Sequence, residues 1–268
     1  MRQLSELMNL ENRIAFVTGA AGYLGLSICE TLMELGAHVI VSDRRAKDCK
    51  ARCAELASKG FRGTAEPLAF DLSKRAVAKV KLKGLLKTHK RIDIVIHAAA
   101  LVGTSKLKGW ATDLANQSPE TWDKAIDLNL TSAFVLSQQL LPALKKSKNA
   151  SIIFIGSTYG VHAPVPALYK GTKMNLPAAY AVSKAALIQF GKYLSTVMAP
   201  GIRVNSISPG GIYRGQPEAF HKRYIERTPL GRMATEEDFK GAIAYLASDM
   251  SRYTTGTNLM VDGGWSAW

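Results

Sequence analysis

Acidic residues are scarce: 21 Asp and Glu stand against 35 Lys and Arg, for a formal charge of +14 over 268 residues. Such a surplus attracts anions over several ångströms at low salt. It leaves nucleic acid, an anionic membrane surface and phosphorylated or carboxylated small molecules as candidate partners. Cysteine is scarcer still. Cys29, Cys49 and Cys53 are odd in number and lack ligand partners at metal-binding spacing, so neither a disulfide framework nor a metal is expected, and a reducing cytoplasm is the natural setting. Long apolar runs are absent too. Ile92 to Val102 is interrupted by Asp93 and His97 and is far too short for a membrane span, and the N-terminus shows no leader pattern.

The basic surplus is partly concentrated. Between Lys74 and Arg91 lie Lys74, Arg75, Lys79, Lys81, Lys83, Lys87, Lys90 and Arg91, without one acid. Nucleic-acid binding needs aromatics to stack on bases or a recognisable motif, and this stretch has neither, so it reads as a solvated helix face.

What is present is an alternation of short β-branched runs with longer helical patterns. Arg13 to Thr18, Ala37 to Ser42, Ile92 to His97, Ser151 to Gly156 and Ile202 to Ile207 read as strands. Leu24, Ile28, Leu32 and Leu35 mark a helix stopped at Gly36. Ser118-Pro119 opens a second helix, and Thr235 with Asp238 caps a third that runs through Ala247. Strands with little polar alternation are buried on both faces. The order therefore predicts an α/β chain: one Rossmann-like, doubly wound domain over residues 10–268, its parallel sheet covered by helices on both faces, after a loose extension at residues 1–9.

The first strand leads into Gly19-Ala20-Ala21-Gly22-Tyr23-Leu24-Gly25. Glycines there permit a tight turn and close backbone approach to a pyrophosphate seated on the following helix N-terminus. Asp43 ends the second strand, 18 positions after Gly25, where a carboxylate accepts hydrogen bonds from an adenosine ribose. It also repels a 2′-phosphate, which favours NAD; Arg44 and Arg45 could offset this and admit NADP. Further on, Tyr180 and Lys184 are four apart in the helical stretch Ala178 to Met198 and share a face. An ammonium about 5 Å from the phenol, at an effective dielectric near 20, favours the phenolate by about 3 kcal/mol, or roughly two pKa units. A phenol so tuned moves protons to and from a carbinol oxygen. Ser157, at the end of the strand Ser151 to Gly156, is placed to hydrogen-bond a carbonyl oxygen.

Taken in order, the glycine turn, Asp71 in Phe70-Asp71-Leu72, Asn129 in Asp127-Leu128-Asn129-Leu130, Ser157, Tyr180 with Lys184, Pro209-Gly210 and Val261-Asp262-Gly263-Gly264 resemble the short-chain dehydrogenase/reductase family from about Leu10 to Gly264. The resemblance implies an NAD(P)-dependent oxidoreductase acting on an alcohol or ketone. Tyr180 would be its general acid/base, with Lys184 lowering the phenol's pKa and holding the nicotinamide ribose. Ser157 would orient the substrate oxygen, and Asn129 would anchor a relay water. Cofactor contacts would come from Gly19, Gly22, Tyr23, Leu24, Gly25, Asp43, Arg44, Asp71, Leu72, Ala98, Ala99, Tyr180, Lys184, Pro209, Gly210 and Ile212. A homotetramer or homodimer is also implied. Two departures stand out: the glycines fall at Gly19-x-x-Gly22-x-x-Gly25, and His97-Ala98-Ala99-Ala100 replaces the usual Asn-Asn-Ala-Gly. Both look like the nucleotide-sugar epimerase and dehydratase branch, yet no length remains for a second domain.

Ser157 and Tyr180 are 180 − 157 = 23 positions apart, longer than the family spacing, so residues 161–176 form an insertion over the active site. It carries His162, Tyr169, Lys170, Lys173 and Asn175, which bind hydroxyls and anions but provide little apolar wall. The candidate substrate residues are Ser157, the loop's His162, Tyr169 and Lys173, and Gln216 from the flap that runs through Tyr213 to Arg232. The expected substrate is a polar, anionic sugar or sugar phosphate, and the loop resembles a subgroup of bacterial surface-sugar and nonulosonic-acid biosynthesis. A 3-oxoacyl thioester reductase using NADPH and a nucleotide-bound regulator or nucleic-acid binder are the competing readings. Trp265 and Trp268, large apolar groups at the chain end, point to burial against another subunit.

Overall fold

The computed structural model describes all 268 residues. Its elements in chain order are α1 (Leu4–Met8), β1 (Ile14–Thr18), α2 (Tyr23–Glu34), β2 (His38–Asp43), α3 (Ala46–Ser58), β3 (Thr64–Ala69), α4 (Arg75–Thr88), β4 (Ile94–His97), α5 (Pro119–Ile126), α6 (Ser132–Leu144), β5 (Ala150–Ile155), α7 (Ala178–Val197), β6 (Ile202–Pro209), α8 (Glu218–Glu226), α9 (Lys240–Ala247) and β7 (Asn258–Val261). The seven strands are all parallel and lie in the order β3-β2-β1-β4-β5-β6-β7. The direction of strand order reverses between β1 and β4. In a doubly wound sheet that reversal opens a crevice at the carboxyl ends of the strands.

Two apolar layers hold the sheet between helices. On one face Ala15, Val17, Val39 and Val41 meet Ile28 and Leu32 of α2, Leu56 of α3 and Ile243 and Leu246 of α9. On the other, Phe16, Ile40, Val95, Ile152 and Phe154 meet Leu82 of α4, Leu136 and Leu140 of α6, and Leu187 and Leu194 of α7. Each buried Val, Leu, Ile or Phe among them is worth about 1.5–3 kcal/mol over exposure. No helix is long and apolar enough to cross a membrane.

The sequence's boundary signals act as expected at three helices. Gly36 takes φ 97° just past α2. The Ser118 side chain accepts from the Thr121 amide, with Pro119 at the first helical position. Thr235 and Asp238 form a complete capping box, although the chain first makes a 3₁₀ turn over Glu236–Phe239 before α9.

Two strands are additional to those legible in the sequence. β3 contains Glu66 and Pro67 and is a half-exposed edge strand, where a proline's missing N–H costs no ladder bond. β7, on the other edge, has four residues, all half-buried. In the N-terminal segment, none of α1 is buried, while Arg2 pairs with Asp249 at 2.7 Å.

Candidate active site

The crevice is built from the ends of β1, β2, β4, β5 and β6. Thr18 leads into Gly19, which takes φ 68°; a Cβ there would lie 2.7 Å from the Ala99 amide nitrogen. A Cβ on Gly25 would lie 2.1 Å from the Gly19 carbonyl oxygen, so both positions need glycine. The turn delivers the chain to Gly22, the N-cap of α2, leaving the first amides of that helix open to an anion. Behind the turn, Ala21 donates its amide to Asp43 Oδ2 (3.3 Å), and Arg52 donates to the Ala21 carbonyl (2.8 Å). Asp43 Oδ1 accepts from the Arg44 amide at 2.7 Å. Each Asp43 oxygen keeps a lone pair, as two ribose hydroxyls require. Close backbone without Cβ atoms, helix amides and a carboxylate at the next strand end therefore fit a dinucleotide.

The other candidate cofactor residues follow the carboxyl ends of β3, β4 and β6 or open α2. Asp71 and Leu72 follow β3, where Asp71 Oδ1 accepts from the Ser73 amide (3.0 Å) and hydroxyl (2.7 Å). Ala98 and Ala99 leave β4 beside Thr18; the Ala99 amide donates to the Thr18 hydroxyl at 3.3 Å. Pro209 ends β6, the Gly210 amide bonds Val261, and Ile212 makes a bridge with Ala234. Tyr23 is exposed at the start of α2, with the Arg214 guanidinium 4.7 Å from its ring centroid. Leu24 is half-buried beside it.

His97 fills the position where an asparagine is usual. It is buried, with Nδ1 2.9 Å from the Thr18 hydroxyl and Nε2 3.4 Å from the Ser132 hydroxyl. Burial and then the nearby Lys184 push its pKa down to about 3, while a hydrogen bond to the Asn129 backbone acts weakly the other way. The ring is neutral at physiological pH. Asn129 lies in a five-residue π-helical turn over Asp127–Thr131, a bulge that occurs frequently at functional sites. Its side chain accepts from the Leu101 amide (2.8 Å) and donates to the Leu101 carbonyl (3.3 Å) and the Ser183 hydroxyl (3.0 Å).

Ser157, Tyr180 and Lys184 come together at the end of β5 and the first turns of α7, but with electrostatics opposite to the sequence expectation. The Tyr180 phenol is raised, chiefly by burial, with a hydrogen bond to Ser157 drawing it back. Burial lowers Lys184 to about 8. Its ammonium donates to the Ile155 carbonyl at 2.7 Å and sits 5.9 Å from the Tyr180 ring centroid. Hydration lost on burial shifts both groups toward their neutral forms, a cost that the estimate from helical spacing did not include.

The insertion at 161–176 packs onto α8 rather than standing alone. Leu168, Phe220, Tyr224, Met233 and Trp265 form a small buried cluster against which Tyr159 and Tyr169 pack. Arg223 Nη1 donates to the carbonyls of Ala167 (3.2 Å), Leu168 (3.0 Å) and Lys170 (2.6 Å), tying the loop to the flap helix. The loop is therefore less polar than expected: Leu168 is buried with α8 and Trp265 in an apolar cluster on which Val165 and Met174 also pack. Trp265 is also corrected. It is buried inside its own chain against Tyr159, Tyr224 and Arg227, whereas Trp268 stays exposed.

The candidate substrate residues divide. Tyr169 places its hydroxyl 2.9 Å from that of Tyr159, two positions after Ser157. His162 packs edge-on to Trp265. Lys173 is exposed. Gln216 is engaged locally, donating to the Ile212 carbonyl (2.8 Å) and accepting from the Arg214 amide (2.7 Å), so its amide holds the flap turn. Sequence reasoning missed Tyr159, Tyr224 and Arg227. Tyr159 could have been found from its nearness to Ser157, but nothing local marks the other two.

Over residues 19–266 the chain matches the family model described as enoyl-(acyl carrier protein) reductase. It is 31% identical to the 3-oxoacyl-(acyl-carrier-protein) reductase of Escherichia coli, covering 96% of this chain and 98% of that one. It is 30% identical to the sorbose reductase of Candida albicans, over 97% and 89% respectively. Among solved structures it is similar to a short chain dehydrogenase from Leptospira borgpetersenii with bound NAD+, at a TM-score of 0.82, 32% identity and coverage of 99% and 96%.

Proposed function

Because the chain belongs to the short-chain dehydrogenase/reductase family and is an NAD(P)-dependent oxidoreductase, we propose that its substrate is a polar, anionic sugar or sugar phosphate bearing a secondary alcohol or ketone. The observation that carries this reading is the cluster of aromatic and polar groups that begins two positions after Ser157. There the Tyr159 hydroxyl pairs with that of Tyr169, the Tyr159 ring packs edge-on to Trp265, and the Arg227 guanidinium lies 5.2 Å from the Trp265 ring. Arg227 Nε and Trp265 Nε1 are buried without a hydrogen-bond partner. Aromatic faces with free donors suit ring hydroxyls and an anionic group better than an alkyl chain. The same polar loop supports a place among enzymes of bacterial surface-sugar synthesis.

When bound, the nicotinamide donates or accepts the hydride at its C4. Gly19, Gly22, Tyr23, Leu24 and Gly25 would hold the diphosphate, Asp43 and Arg44 the adenosine ribose, Asp71 and Leu72 the adenine, and Ala98, Ala99, Pro209, Gly210 and Ile212 the nicotinamide half. Tyr180 gives a proton to the carbonyl oxygen during reduction and takes it back during oxidation. Ser157 holds that oxygen beside the phenol. Lys184 would hold the nicotinamide ribose, and Asn129 would anchor the relay water that resupplies the proton. Flap and loop exclude bulk water as a joined lid.

The exposed apolar stripe of Val182, Tyr193 and Val197 on α7, beside Phe134 on α6, supports a homodimer or homotetramer through this face in a cytoplasmic setting.

The test follows oxidation of NADH and NADPH against keto sugars, their phosphates, uronic acids and a 3-oxoacyl thioester. Turnover on a sugar-type ketone, reduced roughly 10²–10⁴-fold in Tyr180→Phe, is the expected result. The names of several relatives favour a second reading, reduction of a 3-oxoacyl thioester. Turnover confined to that thioester with NADPH would establish it instead.

A further inference from the structure

Away from the crevice, His38, Glu66 and His89 converge near the amino end of β2. His38 is the first residue of β2 and is paired with Thr64; Glu66, in register with Ile40, lies two positions along β3 on the same face of the sheet. His89 caps the C-terminus of α4, which covers that face. His89 Nε2 is 2.7 Å from Glu66 Oε1, and His38 Nε2 is 3.8 Å from Glu66 Oε2. One ligand atom from each residue lies within 4.8 Å of the others, and the imidazole centroids are 5.4 Å apart.

Two details distinguish this cluster from an ordinary surface ion pair. His38 Nδ1 is held by the Thr64 hydroxyl at 2.7 Å, which fixes the ring and presents Nε2 inward. That nitrogen is itself buried and has no hydrogen-bond partner. A hydrogen-bonded second nitrogen is the usual way a protein orients a histidine toward a metal. A carboxylate paired with His89 alone would leave His38 Nε2 without a function.

We infer that His38, Glu66 and His89 form a binding site for a divalent transition-metal ion of the zinc class. Two imidazoles and one carboxylate suit Zn2+, with a fourth position left to water; Mg2+ and Ca2+ prefer oxygen ligands. Tetrahedral bonds of about 2.0–2.1 Å place ligand atoms roughly 3.3 Å apart. The separations of 2.7 and 3.8 Å run to the two different oxygens of Glu66, and the three ligand atoms lie within 4.8 Å of one another, so side-chain rotations that move them by about an ångström would close the site around an ion. Bound metal would fasten edge strand β3 to β2 and α4 without entering the nucleotide crevice, whose Asp43 lies at the opposite end of β2. The ligands are 66 − 38 = 28 and 89 − 66 = 23 positions apart, so no local spacing announces them.

The experiment uses the full, tag-free chain stripped with chelator. Zn2+ titrated by calorimetry is expected to bind at one equivalent per chain and to raise Tm, with Mg2+ doing neither. Co2+ should give the visible absorption of nitrogen and oxygen ligands without a thiolate charge-transfer band. His38→Gln and His89→Gln should each abolish the one-equivalent binding, while Thr64→Val weakens it roughly 10-fold. Circular dichroism and NADH binding verify that the variants remain folded. Absence of one-equivalent binding in the parent chain, or its survival in both histidine variants, would overturn the assignment.

Discussion

The His97 imidazole is joined to the Thr18 hydroxyl at 2.9 Å, linking the end of β4 to the end of β1 one residue before Gly19. Thr18 in turn accepts from the Ala99 amide, so a single neutral histidine helps set the glycine turn and the segment opposite it. Its pKa is about 3 in the fold against 6.5 in the free side chain. A depressed folded value means that the unfolded chain takes up the proton first. The histidine's contribution is thus complete above pH 6.5 and is lost as pH falls toward 3, with a limiting slope of about 1.4 kcal/mol per pH unit. His97→Asn should flatten this part of the curve of stability against pH. At neutral pH it should cost about 1–3 kcal/mol if the amide leaves a buried hydrogen bond unmade. Urea unfolding from pH 7 to 4 measures both effects.

The raised phenol at Tyr180 gives the two reaction directions different pH dependence. Reduction needs the protonated phenol and should stay level through neutral pH. Oxidation needs the phenolate and should climb into the alkaline range. Ser157 draws the phenol's pKa down, so Ser157→Ala should move the alkaline limb of the oxidation profile upward as well as lowering kcat. Tyr180→Phe should remove roughly 10²–10⁴-fold of the rate while leaving NADH affinity within a few-fold. A profile for Ser157→Ala unmoved along the pH axis would contradict the assignment.

Asp43 is the cofactor's discriminating charge in this reading. A hydrogen bond to a charged group is worth about 1.5–3 kcal/mol, so Asp43→Ser should weaken NADH binding roughly 10- to 100-fold. NADPH binding should improve in the same variant, because repulsion of the 2′-phosphate disappears while Arg44 and Arg45 remain. Fluorescence titration of both nucleotides decides the matter. Equal loss for the two would show that Asp43 only braces the Ala21 amide.

Arg223 fastens the loop at 161–176 to α8 through three backbone carbonyls. Arg223→Ala should release both segments together, seen as faster amide hydrogen exchange at 165–171 and 218–226. If the lid serves substrate binding, KM should rise several-fold while the affinity for NADH stays the same. Faster exchange confined to one segment would mean that the two do not move as a unit.

The parts legible in the sequence depend on neighbours in the chain. Gly19 and Gly25, the capping residues Ser118 and Thr235, and the i, i+4 relation of Tyr180 to Lys184 follow from local geometry, as do five of the seven strands. β3 escaped because an edge strand can carry Glu66 and Pro67, which erase the apolar signature used to recognise it. β7 escaped because four half-buried residues form too short a pattern.

Charge at the reacting groups belonged to the tertiary structure. Spacing placed Lys184 beside Tyr180, but only packing revealed that both are buried, and burial shifts each toward its neutral form. The same holds for Trp265, whose size was plain in the chain and whose partners were not: Tyr159, Tyr224 and Arg227 come from segments 106, 41 and 38 positions away (265 − 159, 265 − 224 and 265 − 227). Amino-acid order fixed which groups were available and which short turns could form. Burial and long-range contact, set when the sheet and its helices close on one another, decided how those groups ionise and what they touch.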